Sequence, residues 1–139
     1  MTDELGDPPT RLLVALTKGD RAAAMDAIHA GDDVNARDPR PVIGDQTTAL
    51  HLAALDGDHL LIRELILHGA DVDAQCGTGQ TPLWFACNGN YYEAIKELLA
   101  SGADHTITNN DGYTPRDRVL ASDPRTLAMI DDHVARHER

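Results

Sequence analysis

The sequence predicts an all-α repeat solenoid, a stack of short helix-turn-helix units. Three observations predict it. First, Thr48-Ala49-Leu50-His51-Leu52-Ala53 recurs as Thr81-Pro82-Leu83-Trp84-Phe85-Ala86 and again as Thr114-Pro115, at a constant step of 33 residues. Second, Gly69-Ala70-Asp71 recurs as Gly102-Ala103-Asp104 at the same step, and Gly31-Asp32-Asp33 starts an earlier copy displaced by five extra residues. Third, apolar residues fall at helical spacing between these motifs. Leu61, Ile62, Leu65 and Ile66 line one face, and Ala94, Ile95, Leu98 and Leu99 repeat it. No single helix pair buries such a stripe alone, so the units share one cooperative core.

Two motifs with one period, Thr-Pro-Leu-like and Gly-Ala-Asp, resemble the ankyrin repeat family over nearly the full length of the chain. The resemblance implies units of two antiparallel helices, each followed by a loop that projects as a hairpin. Residues 1–8 are expected to form a short flexible N-terminal segment, with the repeat domain spanning 9–139. Repeat one, about 9–35, carries helices over Thr10–Thr17 and Arg21–Ala30; Arg11 stands in the slot of Pro82, and Ala22, Ala23 and Ala24 make the pair slim. Repeat two, about 36–73, has helices over Ala49–Asp56 and His59–Leu67, and its leading loop gains the five residues within 39–47. Such an insertion maps either to a binding edge or to a tolerated surface excursion. Repeat three, about 74–106, has helices over Pro82–Asn88 and Tyr92–Ser101. The C-terminal cap, 107–139, has helices over Pro115–Ala121 and Pro124–His137, with Arg116 and Arg118 where earlier units carry Leu50, Leu52, Leu83 and Phe85. A terminal unit faces water on one side, which suits those charges. Thr48, Thr81 and Thr114 each precede a helical pattern and can cap its free amides. Pro82 and Pro115 sit in the first turn, where a missing donor costs nothing. Gly69 and Gly102 follow the last apolar residues, where a left-handed cap is expected.

Charge and composition bound the function. The chain has 23 Asp plus Glu against 12 Lys plus Arg, a formal net charge of -11, and a pI near 4.8. Such a surface repels nucleic-acid phosphates and anionic lipid and attracts a basic protein patch. Asp beside Gly, Asn and Thr also serves turns and helix caps. No apolar run approaches the roughly 18 residues of a membrane span. The stretch MTDELGDPPTRLL lacks the basic and apolar regions of a signal peptide. Two cysteines fit a reducing compartment, so a cytoplasmic protein, monomeric when free, is expected. Neither Cys76 nor Cys87 belongs to a CxxC pair, and HExxH, P-loop, GxGxxG and GxSxG motifs are missing. Asn109-Asn110-Asp111-Gly112 lacks the spaced ligands and closing Glu of a calcium loop. The seven histidines are expected to be structural or solvated. The expectation is therefore no enzyme activity, no catalytic residue, no cofactor and no metal.

The resemblance implies a partner protein seated in the concave surface of hairpin tips and first helices, reaching toward the starts of the second helices. Carried onto this chain, that surface takes Gln80, Thr78, Asn110 and Asp111 from the loops, and Arg40, Val42, Ile43 and Asp45 from the inserted one. Asp56 and Asn88 end first helices, Tyr92 opens a second helix, and Tyr113 precedes the last Thr-Pro. Four of the five aromatic residues fall between Thr81 and Leu99, and they divide by position. Phe85 aligns with Leu52 and Val14 and belongs to the core. Trp84, also counted among the expected contact residues, takes the slot of His51, whose counterparts in the family brace the turn through a local hydrogen bond. Tyr91 and Tyr92 align with Asp58 and His59, exposed-type positions; Tyr91 either meets a partner or covers the gap between repeats. Tyrosine among aspartates suits a partner presenting Arg or Lys. The expected role is stoichiometric binding of a basic protein, as an inhibitor or immunity-type protein. A structural adaptor with several partners is the alternative, and a ligand- or metal-binding accessory the third.

Overall fold

The computed structural model describes residues 10–40, 45–120 and 123–137. The expected segment 1–8, Val42 and Ile43 of the inserted loop, and Ala121 lie outside them. Among the described residues the chain forms seven α-helices and one 3-10 helix. The α-helices are α1 (Arg11–Lys18), α2 (Arg21–His29), α3 (Ala49–Leu55), α4 (His59–Leu67), α5 (Pro82–Asn88), α6 (Tyr92–Ala100) and α7 (Pro124–His137). The 3-10 helix spans Pro115–Arg118 and precedes α7.

Side-chain caps set most of these boundaries. Thr10 accepts from the Leu13 amide at 3.2 Å and Thr81 from the Trp84 amide at 3.2 Å. The second helices of three units start at aspartates: Asp20, Asp58 and Asp123 accept from the amides of Ala23, Leu61 and Thr126. Each such cap satisfies a donor that the helix cannot, contributing about 1 kcal/mol. Gly69 and Gly102 adopt φ of 95° and 93° just past α4 and α6, a conformation that a β-carbon disfavours.

The helices form two layers. First helices stack in the order α1, α3, α5 and the 3-10 turn, while second helices stack α2, α4, α6 and α7. Each element touches its own partner and the equivalent element of the next unit, as in a one-dimensional array. The core runs through the stack as one cluster, with Leu12, Leu13, Ile28, Leu50, Ile62, Leu65, Leu83, Ile95, Leu98 and Ile130 buried. Phe85 packs against this core while keeping part of its ring exposed, as does its counterpart Leu52.

The helix expected over Pro115–Ala121 is corrected: only Pro115–Arg118 turns, as a 3-10 helix. The Asp117 carboxylate accepts from the Thr114 amide at 2.8 Å while Thr114 Oγ1 accepts from the Asp117 amide, closing a tight capping box. Val119 then leaves in an extended conformation (φ -74°, ψ 134°) and is itself buried. Pro115 and Val119 thus supply the buried residues of this stretch, and the turn is not prolonged. Arg116 and Arg118 are exposed, as a terminal unit requires.

Candidate interaction surface

The loops between units are built alike. The amides of Asp38, Cys76 and Asn109 donate to the carbonyls of Thr47, Gln80 and Tyr113 at 2.7, 2.9 and 2.9 Å, closing each hairpin at its base. At the same position the side chains differ. Asn109 Oδ1 accepts from the amides of Asp111 and Tyr113, bracing the tip from inside. Asp38 is buried and receives the Arg40 guanidinium, whose hydrogen bonds hold its carboxyl below the usual range. Cys76 is a buried free thiol, with Sγ donating to Gln80 Oε1 at 3.0 Å.

Successive tips are tied to one another through the main chain. The Gly77 amide donates to the Asp45 carbonyl at 2.8 Å, and the Asn110 amide to the Thr78 carbonyl at 3.0 Å. Thr78 Oγ1 donates to the Asp45 carboxylate at 3.1 Å, and the Asn110 side-chain amide to the Gly77 carbonyl at 3.3 Å. Asp45, Thr78 and Asp111 therefore form one exposed column, one residue per unit. Asp45 and Gln46 adopt φ of 45° and 56°, left-handed values; Gly79 and Gly112 fill the Gln46 slot in later tips. Gln80 belongs to the tip of repeat three, its side-chain oxygen accepting from Cys76 Sγ–H and sharing the single Thr78 hydroxyl proton with Asp45. Tyr113 stands beside the column with half its surface exposed.

Below the tips, His51 is fully buried. Its Nδ1 accepts from the Thr48 amide at 3.0 Å and its Nε2 donates to the Gln80 carbonyl at 2.9 Å, linking two units. Burial pushes its pKa down to about 4, so the ring is neutral. Trp84, in the same slot one unit later, has an indole N–H shielded from water with no hydrogen-bond partner. Its ring packs edge-on against Phe85 at 5.9 Å, and Arg118 lies over it at 5.3 Å.

The other expected contact residues separate into distinct places. Asn88 receives two hydrogen bonds from the Arg118 guanidinium, at 3.1 and 3.2 Å. Arg40 also donates to Thr17 Oγ1 at 2.8 Å, fastening the inserted loop to the end of α1. Asp56 lines an open cleft with Leu16, Thr17, Lys18, Leu52 and Leu55. Tyr91 lies on two glycines: a β-carbon at Gly57 would come within 2.6 Å of the ring, and one at Gly89 within 2.2 Å. The ring thus closes the gap between neighbouring units and still keeps 39% of its surface exposed. Tyr92 lies apart from the tips. The Arg125 guanidinium covers its ring at 3.6 Å, in a groove between α6 and α7 that Lys96, His133 and Arg136 also line. That groove contains none of the hairpin-tip residues.

Two features escaped the sequence reading. Arg118 was assigned to the water-facing cap, yet it covers Trp84 and occupies Asn88. His29, Glu64 and His68, spread over two units, have their ligand atoms within 4.8 Å of one another. The available signal was Glu64 and His68 spaced i, i+4 at the end of a second helix, with His29 at the equivalent helix end one unit earlier. Cys87 is buried and its thiol is pushed up to about 12 by burial, in keeping with a packing role. Among the described residues no helix is long and apolar enough to cross a membrane.

Comparison with known proteins gives a consistent picture. The family model for ankyrin repeats in three copies matches residues 12–109. Human protein phosphatase 1 regulatory subunit 27 is 38% identical over 71 residues, covering 51% of this chain and 46% of that protein. The potassium channel AKT1 of Oryza sativa subsp. indica is 43% identical over 77 residues, covering 55% of this chain and 8% of the channel. In three dimensions the chain is similar to the ankyrin repeat domain of Bcl-3, described as a unique member of the IkappaB protein family. The TM-score is 0.76 at 25% identity, over 90% of this chain and 52% of that one. The chain therefore spans about half the length of these phosphatase-subunit and Bcl-3 relatives, and far less of the channel.

Proposed function

The chain belongs to the ankyrin repeat family, and from that premise we propose that it is a protein-binding module acting by stoichiometric recognition without turnover. The contact surface is the column of hairpin tips, Asp45, Thr78 and Asp111 with Asn110 and Tyr113, and its partner presents Lys or Arg. The single observation that carries this reading is the main-chain tie between tips. It fixes exposed carboxylates and a half-exposed tyrosine on a rigid support, so little conformational entropy is lost on binding. A net charge of -11 adds long-range attraction for a basic partner. Relatives named as a phosphatase regulatory subunit and an IkappaB family member support a regulator rather than a catalyst. Blocking a basic enzyme is the concrete form of that role, and a cytoplasmic location with a monomeric free state belongs to the same reading. Tyr92 is left outside the surface, because Arg125 already occupies its ring.

The test is affinity capture from the native organism, followed by calorimetry on the protein retained. The double variant Asp111→Lys/Tyr113→Ala is compared with wild type and with Tyr92→Ala. Expected is loss of more than about tenfold in affinity for the tip variant, little change for Tyr92→Ala, and weakening with added salt. Equal binding by wild type and the tip variant removes the proposed surface. Several partners of modest affinity, none of them inhibited, would favour the adaptor reading.

A further inference from the structure

We propose that His29, Glu64 and His68 form a binding site for a transition-metal dication of the zinc class, one that pins repeat one to repeat two. His29 is the last residue of α2, Glu64 lies in the last turn of α4, and His68 caps that helix one turn later. Because α2 and α4 stack as consecutive second helices, residues 35 and 39 positions apart in sequence converge. One ligand atom from each lies within 4.8 Å of the other two. His29 Nε2 stands 2.8 Å from Glu64 Oε1, and His68 Nδ1 stands 3.6 Å from the same oxygen. Tetrahedral ligands bound at zinc distances are about 3.3 Å apart. The observed separations fall on either side of that value; to seat an ion, His68 Nδ1 would give up its 2.9 Å hydrogen bond to the Glu64 backbone carbonyl.

The donor set selects the metal class. Two imidazoles and one carboxylate suit zinc, nickel or copper, whereas calcium and magnesium take six or more oxygens. Three protein ligands leave a fourth position to water or to a side chain of a partner. Both histidines are exposed, so the ion enters from solvent. The ordinary alternative is a solvated cluster in which Glu64 pairs with the two imidazoles and nothing more. What raises the metal reading above it is the span of the site. Ligands from two units make binding a link between them, and repeat one is the unit with the slimmest second helix, carrying Ala22, Ala23 and Ala24. Any ion bound to the folded chain alone adds stability by mass action.

The experiment is zinc titration into the full chain, followed by calorimetry and thermal melting. Wild type is compared with His29→Ala, His68→Ala and Glu64→Gln. A fourth variant, His133→Ala/His137→Ala, removes the stacked imidazole pair of α7, whose rings lie 4.1 Å apart and could take a metal themselves. Expected is one equivalent of zinc and a raised Tm in wild type and in the α7 variant. Each of the three site variants should bind more than about tenfold more weakly, the least that losing a ligand should cost. Calcium and magnesium should leave the melt unchanged. Cobalt gives a second readout, since four-coordinate binding produces intense visible absorption that the three variants would lack. The proposal is overturned by an absence of zinc binding in wild type, by binding that survives in all three site variants, or by binding that disappears in the α7 variant. None of these outcomes depends on the partner surface, which lies on the hairpin tips.

Discussion

His51 carries both of its ring nitrogens into hydrogen bonds and leaves nothing to solvent. Its folded pKa of about 4 lies below the ordinary 6.5 because burial disfavours the cation. Above pH 6.5 the ring is neutral in both folded and unfolded chains, and stability is independent of it. Between pH 6.5 and about 4 the unfolded chain takes up a proton that the folded one refuses, so stability falls with pH by roughly 3 kcal/mol in total. Denaturant melts at intervals from pH 7.5 to 4.5 should show this slope, and His51→Gln should flatten it. An equal slope in both proteins would mean that other groups carry the acid sensitivity. The brace was legible in the sequence through the slot that His51 fills. The consequence for Trp84 was not, because an indole cannot accept the amide that imidazole Nδ1 accepts, and its neighbour Arg118 comes from the next unit.

The turn joining α5 to α6 shows how elements are spaced. Gly89 caps α5 with φ of -84°, a right-handed value that alanine adopts freely, so its lack of a side chain answers to Tyr91 rather than to backbone geometry. Gly89→Ala should therefore destabilise by about 1–3 kcal/mol through overpacking. In a Tyr91→Ala background the same change should be neutral or slightly stabilising, since alanine restricts the unfolded chain. A double-mutant cycle in urea measures the difference, and additivity would refute the contact. Helix positions were readable from Thr, Pro and Gly at a fixed period, since these residues act on the backbone within a few positions. The shortened first helix of the last unit was not, because its end depends on Asp117 closing a box with Thr114 and on Val119 turning inward, a choice made by packing. Tyr92 illustrates the same limit. Arg125 lies in the first turn of α7 as Tyr92 lies in the first turn of α6, and stacking of the two helices brings the guanidinium over the ring.

Across the whole molecule, stability should be graded along the stack. Elements α3 to α6 have neighbours on both sides, whereas α1, α2 and α7 lie at the ends. Of the fourteen residues of α7, only Thr126 and Ile130 are buried. Native-state hydrogen exchange should find the slowest amides in α3–α6, with faster exchange in α7 and in the first pair. Uniform protection would show that the array opens only as a unit. The repeat architecture was legible because one period governs both motifs. The proposed contact surface was partly legible: Asp45, Thr78 and Asp111 stand out singly in the sequence, but their common column follows from hydrogen bonds between units. Those bonds have a metrical consequence. The tips are fastened to each other as well as to their own helices, so the step from one tip to the next is fixed by main-chain geometry and not by rotamers. A partner laid along them, as proposed, would meet a ruler with one graduation per repeat. Lengthening such an array by one unit would extend its scale without altering its spacing.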